Sequence, residues 1–198
     1  RSLLKASGIW GSGLDTLLTA IRDVISNQGT EAFPEEALYE VMAKRGKSLA
    51  FTDAEIEELA EMEYGDKRLF TLLTMLFPFV DVARHHFHID HVFPVVRFTK
   101  PKLRKAGVDD DDLEDFKDMA NRLPNLQLLE GGENIIKKAS MPADWLEETM
   151  NKDARKNYCD NHLVGAVPES LTGFRKFYDA RKKALKERIE TVLGVSGQ

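Results

Sequence analysis

The stretch HHFHIDHVFP, residues 85–94, and the later LPNLQLLEGGENIIKK, residues 123–138, decide how this 198-residue chain is read. Taken as extended backbone, residues 86–93 put His86, His88 and Asp90 on one face and Phe87, Ile89 and His91 on the other, because successive side chains of a strand alternate. Pro94 has no N–H to give a ladder and ends the strand. In the second stretch Asn125 leads a short apolar run of Leu126, Leu128 and Leu129. Gly131 and Gly132 then predict a tight turn, and a helix is expected to open near Asn134. The order is strand, long connection, strand, turn, helix.

These residues carry a resemblance. Asp90-His91 with Pro94 behind it, Asn125-Leu126, and Asn134 nine positions on resemble the His-Asn-His, or ββα-metal, nucleases. The likeness is to the branch found at the C-terminus of GmrSD-type, modification-dependent restriction proteins and of related phage-defence systems. Its parts are an acidic residue and a histidine opening an HxxP motif (His91-Val92-Phe93-Pro94), an N-L-x-L-L-E segment from Asn125 to Glu130, and a downstream Phe174-x-x-Phe177-x-x-x-Arg181. Together they span roughly residues 60–193.

Phosphodiester hydrolysis needs an activated water, a cation to neutralise the charge growing on the phosphate, and a hold on the leaving oxygen. By resemblance, His91 is the general base, a task suited by an ordinary imidazole pKa of about 6.5. Asp90 ligates the metal, and Asn134 offers its amide oxygen to the same ion. Asn125 holds the segment bearing His91 in register or orients the imidazole. Few, oxygen-based ligands suit Mg2+, or Mn2+. The family's last position is often histidine; Asn134 in its place makes the donors harder and argues against zinc. His86 and His88 share the face of Asp90 as supporting residues, His88 also as a phosphate contact. Lys137 and Lys138 stand in the first helical turn, where a phosphate would meet free backbone N–H groups, and Arg155 extends the basic surface. For the two lysines a plain solvated face is the rival reading.

Hydrophobic content of 42% and charged content of 31% describe a globular chain. Its most apolar run, residues 69–80, is broken by Pro78 and is too short for a bilayer span. Cys159 is the only cysteine, which excludes an internal disulfide and suits a reducing cytoplasm, here expected to be prokaryotic. The net charge of −5 is uneven: residues 1–81 carry eight basic and fourteen acidic residues, residues 82–198 twenty and nineteen. Arg97, Lys100, Lys102, Arg104 and Lys105 cluster after the HxxP motif. Arg175, Lys176, Arg181, Lys182, Lys183, Lys186 and Arg188 cluster near the C-terminus. Such clusters beside a metal site would meet DNA phosphates, although the overall charge implies weak intrinsic affinity.

Residues 1–81 are expected to form an N-terminal helical scaffold. Leu14, Leu17, Leu18, Ile21, Val24 and Ile25 keep helical spacing, and further helices are expected from Pro34, from a Thr52 capping box and over residues 69–77. Residues 82–198 carry the nuclease unit and C-terminal helices. A helix with Leu113, Phe116, Met119, Ala120 and Leu123 inward crosses the connection, one from Pro142 is expected to reach about Asp153, and a long one closes at Gly194. The fold class is thus mainly α with a small antiparallel ββα-metal insert, α+β. With Arg1 first, the chain is expected to be a piece of a longer protein.

The expected function is a metal-dependent DNA endonuclease that restricts phage or modified DNA. By resemblance it is served by an upstream nucleotide-hydrolysing domain. Two alternatives stay open: a non-catalytic DNA-binding or scaffold module that keeps the fold, and an RNase or toxin using the same site, since the motif reads phosphates and not sugars.

Overall fold

Helical spacing of apolar residues governs both parts of the chain. The computed structural model describes residues 1–5, 8–29 and 32–194. It divides into Arg1–Asp53, together with the residues from Leu193 onward, and Ala54–Val192. The division falls well before residue 81, so two of the expected scaffold helices belong with the strands.

In the first unit α1 (Leu14–Asn27) follows Gly13, whose φ of 77° suits a residue without Cβ. Helix α2 (Glu35–Ala43) opens directly after Pro34. Ile9, Leu17, Met42 and Leu49 form their shared core. The expected inward stripe of α1 is only partly used: Leu17 and Ala20 are buried, while Leu14, Leu18 and Ile25 are 37%, 45% and 47% exposed.

The second unit holds α3 (Asp53–Ala60) and α4 (Leu69–Leu76), and Leu69, Leu72, Leu73 and Leu76 of α4 are wholly buried. Strand β1 (Phe87–His91) comes next, then the short α5 (Lys100–Lys105) and α6 (Leu113–Met119). Leu113, Phe116, Met119, Ala120 and Leu123 all point inward, as their spacing requires. Strand β2 (Leu126–Glu130) pairs antiparallel with β1, with His88 opposite Leu129, Asp90 opposite Gln127 and His91 opposite Leu126. Helix α4 lies against β2, and α7 (Gly131–Lys137) packs on both strands.

Two expectations need correction here. Gly131 and Gly132 form no turn: both have ordinary negative φ and are the first residues of α7, so strand passes straight into helix. Gly131 N–H donates to His86 O at 3.0 Å and ties the start of α7 to the chain just before β1. The helix from Pro142 also ends earlier than expected. Helix α8 (Pro142–Thr149) stops, Asn151 caps a separate α9 (Lys152–Asn161) by accepting from Ala154 N at 2.9 Å, and the basic residues 152–156 are helical.

The long α10 (Phe174–Leu193) is followed by Gly194 at a φ of 57°. Its Phe174 and Phe177 meet Phe93 edge-on, at centroid distances of 5.3 and 4.9 Å, and Phe98 completes the cluster. Edge-to-face rings add about 1 kcal/mol per pair beyond the area they bury. Phe93 belongs to the HxxP motif, so this aromatic core anchors the end of β1. The unit is mainly helical with one small two-stranded antiparallel sheet, and among the described residues no helix is long and apolar enough to cross a membrane.

Candidate functional site

Asn125 fixes the chain beyond β1. Wholly buried, it accepts from Phe93 N at 2.9 Å through Oδ1 and donates through Nδ2 to Phe93 O at 3.0 Å and Ala120 O at 2.8 Å. Its backbone carbonyl accepts from Val92 N at 2.7 Å. Of the two roles expected of Asn125, these bonds serve the first: the amide holds the HxxP segment in register and makes no bond to the imidazole.

His91 ends β1 half-buried. Its ring packs on Tyr64, centroids 4.9 Å apart, and its Nε2 lies 3.0 Å from Asn121 Oδ1. An amide oxygen can only accept, so Nε2 carries the proton and Nδ1 keeps its lone pair. Burial lowers the imidazole's pKa from its usual value, with Lys137 adding to the effect and Asn121 and Asp90 opposing it. The ring is therefore neutral near neutral pH, with Nδ1 free of its proton.

Asp90 points to the other face, toward α7. Its Oδ2 is 2.8 Å from Lys137 Nζ and accepts from Gln127 Nε2 at 3.1 Å, so both contacts fall on one oxygen. Lys137 departs most from expectation. It is 1% exposed and donates also to His91 O, so it is an internal cation of the site and not a phosphate contact. Burial lowers its pKa while the charge of Asp90 opposes. Asn134 precedes Lys137 by three residues on α7, so it lies on the same side of the helix and is half-buried. His88, two residues before Asp90 and on the same face, is exposed, with Nε2 3.6 Å from the position a Cβ on Gly131 would take.

A hard divalent ion finds a sparse donor set here. Among the described residues no three His, Cys, Asp or Glu side chains gather as a metal cage requires. One carboxylate, Asp90, and one amide, Asn134, are too few donors for a four-ligand zinc site and suit only an ion that keeps most of its waters, as Mg2+ does. The Lys137 ammonium already balances one charge of Asp90, which weakens such a site.

The remaining expected residues lie further out. Lys138 is exposed at the end of α7 with a φ of 47°. Arg155 is half-buried on α9 with a buried Nε that has no hydrogen-bond partner. His86 is exposed, and His85 pairs with Glu130 at 2.9 Å. The basic clusters expected to meet DNA are largely engaged internally. Lys100 pairs with Glu114, Arg104 with Asp110, Arg175 with Asp112 and Asp115, and Lys182 and Lys186 with Glu57, whose carboxyl they hold down to about 2. Arg181 is buried against the carbonyls of Pro124 and His162.

Three contributors escaped sequence reading: Gln127, Asn121 and Tyr64. Gln127 carried a signal, a polar residue inside an apolar strand and opposite Asp90 in the register. Tyr64 and Asn121 carried none, because the bond that joins their segments, Tyr64 N to Asn121 O at 2.7 Å, spans a tertiary contact. The chain matches no protein-family model, and no curated protein matches it.

Proposed function

We propose that the strand–strand–helix unit is the hydrolytic centre of a metal-dependent phosphodiesterase of the His-Asn-His type. Within that class the chain is a DNA endonuclease that restricts phage or modified DNA in a prokaryotic cytoplasm. The observation that carries this reading is the arrangement at the end of β1. A neutral imidazole, fixed through Nε2, stands next in sequence to a carboxylate that faces the helix bearing Asn134.

Asp90 and Asn134 would hold the ion, which when bound supplies Lewis acidity toward the phosphate. His91 Nδ1 would take the proton of the attacking water, and Asn121 would stabilise the imidazolium through its bond to Nε2. Asn125 keeps the imidazole's strand end from shifting. With the basic clusters paired internally, electrostatic capture of DNA falls to Lys138, Arg155 and His88 and is weak. Delivery by an upstream nucleotide-hydrolysing domain would compensate.

The Lys137 ammonium on Asp90 favours a second reading, a DNA-binding or scaffold module that keeps the fold without catalysis. Supercoiled plasmid incubated with Mg2+ or Mn2+ separates the two. The nuclease nicks it and His91→Ala does not, whereas a module leaves it intact in both forms. Structured RNA as a parallel substrate tests the RNase or toxin alternative.

A further inference from the structure

A buried polar chain runs behind Asp90. The phenol of Tyr158, on α9, donates to Gln127 Oε1, and Gln127 Nε2 donates to Asp90 Oδ2 at 3.1 Å. Gln127 is wholly buried and Tyr158 9% exposed. Tyr158 is wedged between Trp145, edge-on at 5.4 Å, and His162, stacked at 4.3 Å, so its hydroxyl has little freedom to move.

A primary amide can face a neighbour with either end, and only its surroundings choose. Here the carboxylate decides: Asp90 Oδ2 only accepts, so the NH2 must face it, and the Oε1 turned the other way accepts from the Tyr158 hydroxyl. We infer that Tyr158 and Gln127 are positioning residues for Asp90, with Tyr158 holding the Gln127 amide in the orientation that pins Oδ2. Helix α9 thereby becomes part of the support of Asp90, although it contributes no ligand to the ion. Outer partners of this kind typically change metal affinity by about ten- to a hundredfold. The inference rests on the reading of Asp90 as a metal ligand.

The test is Mn2+ titration of the intact protein, followed by the loss of free-ion EPR signal, for wild type, Asp90→Asn, Tyr158→Phe, Gln127→Leu and the Tyr158→Phe/Gln127→Leu pair. The double variant removes both polar partners together and so keeps a satisfied core if Tyr158→Phe alone folds poorly. Expected is Mn2+ binding that Asp90→Asn abolishes and that Gln127→Leu weakens about tenfold or more. Tyr158→Phe should weaken it similarly, with no further loss in the double variant, because Tyr158 acts only through Gln127. A merely structural tyrosine would lower the melting temperature and leave the affinity unchanged, which overturns the inference. Additive losses in the double variant overturn it as well. Wild-type binding that Asp90→Asn does not alter, or no binding at all, removes Asp90 as a ligand and the inference with it, and is distinguishable from the preceding outcomes.

Discussion

Lys137 Nζ stands 2.8 Å from Asp90 Oδ2 with the lysine 1% exposed, so the carboxylate proposed to hold a metal is also one half of an internal ion pair. Removing one member of a buried pair strands the other charge, at roughly 3–5 kcal/mol. Asp90→Asn should therefore lower unfolding stability by about 3 kcal/mol, and Lys137→Met by a similar amount. The double variant should recover most of the loss. Urea denaturation of the three proteins checks this, and additive losses would show that the pair is not coupled.

His91 is the cleaner catalytic probe, since it is half-buried and its losses are one hydrogen bond and one ring contact, about 1 kcal/mol in stability. Burial lowers its folded pKa, so the neutral base persists to lower pH than in free histidine. Nicking activity should rise with pH along a limb whose apparent pKa lies below 6.5 and stay flat above it. A limb centred above that value would assign the titration to another group.

Asn125 answers for three side-chain hydrogen bonds at a wholly buried position. Asn125→Leu leaves Phe93 N, Phe93 O and Ala120 O unmet and should cost about 3 kcal/mol or more. Asn125→Asp keeps the acceptor, loses both donations and adds a buried charge, so it should be at least as damaging. Thermal unfolding of the two variants gives the order.

His162 predicts an acid-sensitive fold. It is buried, its Nδ1 has no hydrogen-bond partner, and burial with the charge of Arg181 pushes its pKa down to about 3. The unfolded imidazole binds a proton near pH 6.5 and the folded one does not, so stability is fully present above that pH and is lost as pH falls toward about 3. The loss approaches about 1.4 kcal/mol per pH unit. His162→Phe keeps the stack on Tyr158 and should flatten the unfolding free energy over this window. An unchanged slope would locate the acid sensitivity elsewhere.

Lys138 carries a φ of 47°, a conformation that disfavours side chains with a Cβ. Lys138→Gly should stabilise the protein by up to about 1 kcal/mol while weakening DNA binding, measured by denaturation and by a gel-shift titration.

What could be read from the sequence was whatever depends on local pattern. The alternation in residues 87–91 and the 3.6-residue spacing of Leu113, Phe116 and Met119 depend on neighbours in sequence, and β1 and α6 follow, although β1 stops at His91 and not at Pro94. Gly131 and Gly132 misled because glycine permits a turn without requiring one, and packing of α7 on the strands drew both into helix. Lys137 misled in the same way: a lysine reads as solvated unless a carboxylate distant in sequence awaits it. Asn121 and Tyr158 lie beyond local reasoning altogether, since they reach the site through α6 and α9 packing, and no residue spacing encodes that approach.

The most direct measurement is a crystal soaked in Mn2+ and examined by anomalous scattering. The proposed hydrolytic site requires a peak bound by Asp90 Oδ1 and the Asn134 side-chain oxygen, with His91 Nδ1 facing the water side of the ion. An ordered Asp90–Lys137 pair with no peak beside it, or a peak elsewhere on the chain, would contradict a metal-dependent nuclease and leave the non-catalytic module as the better description.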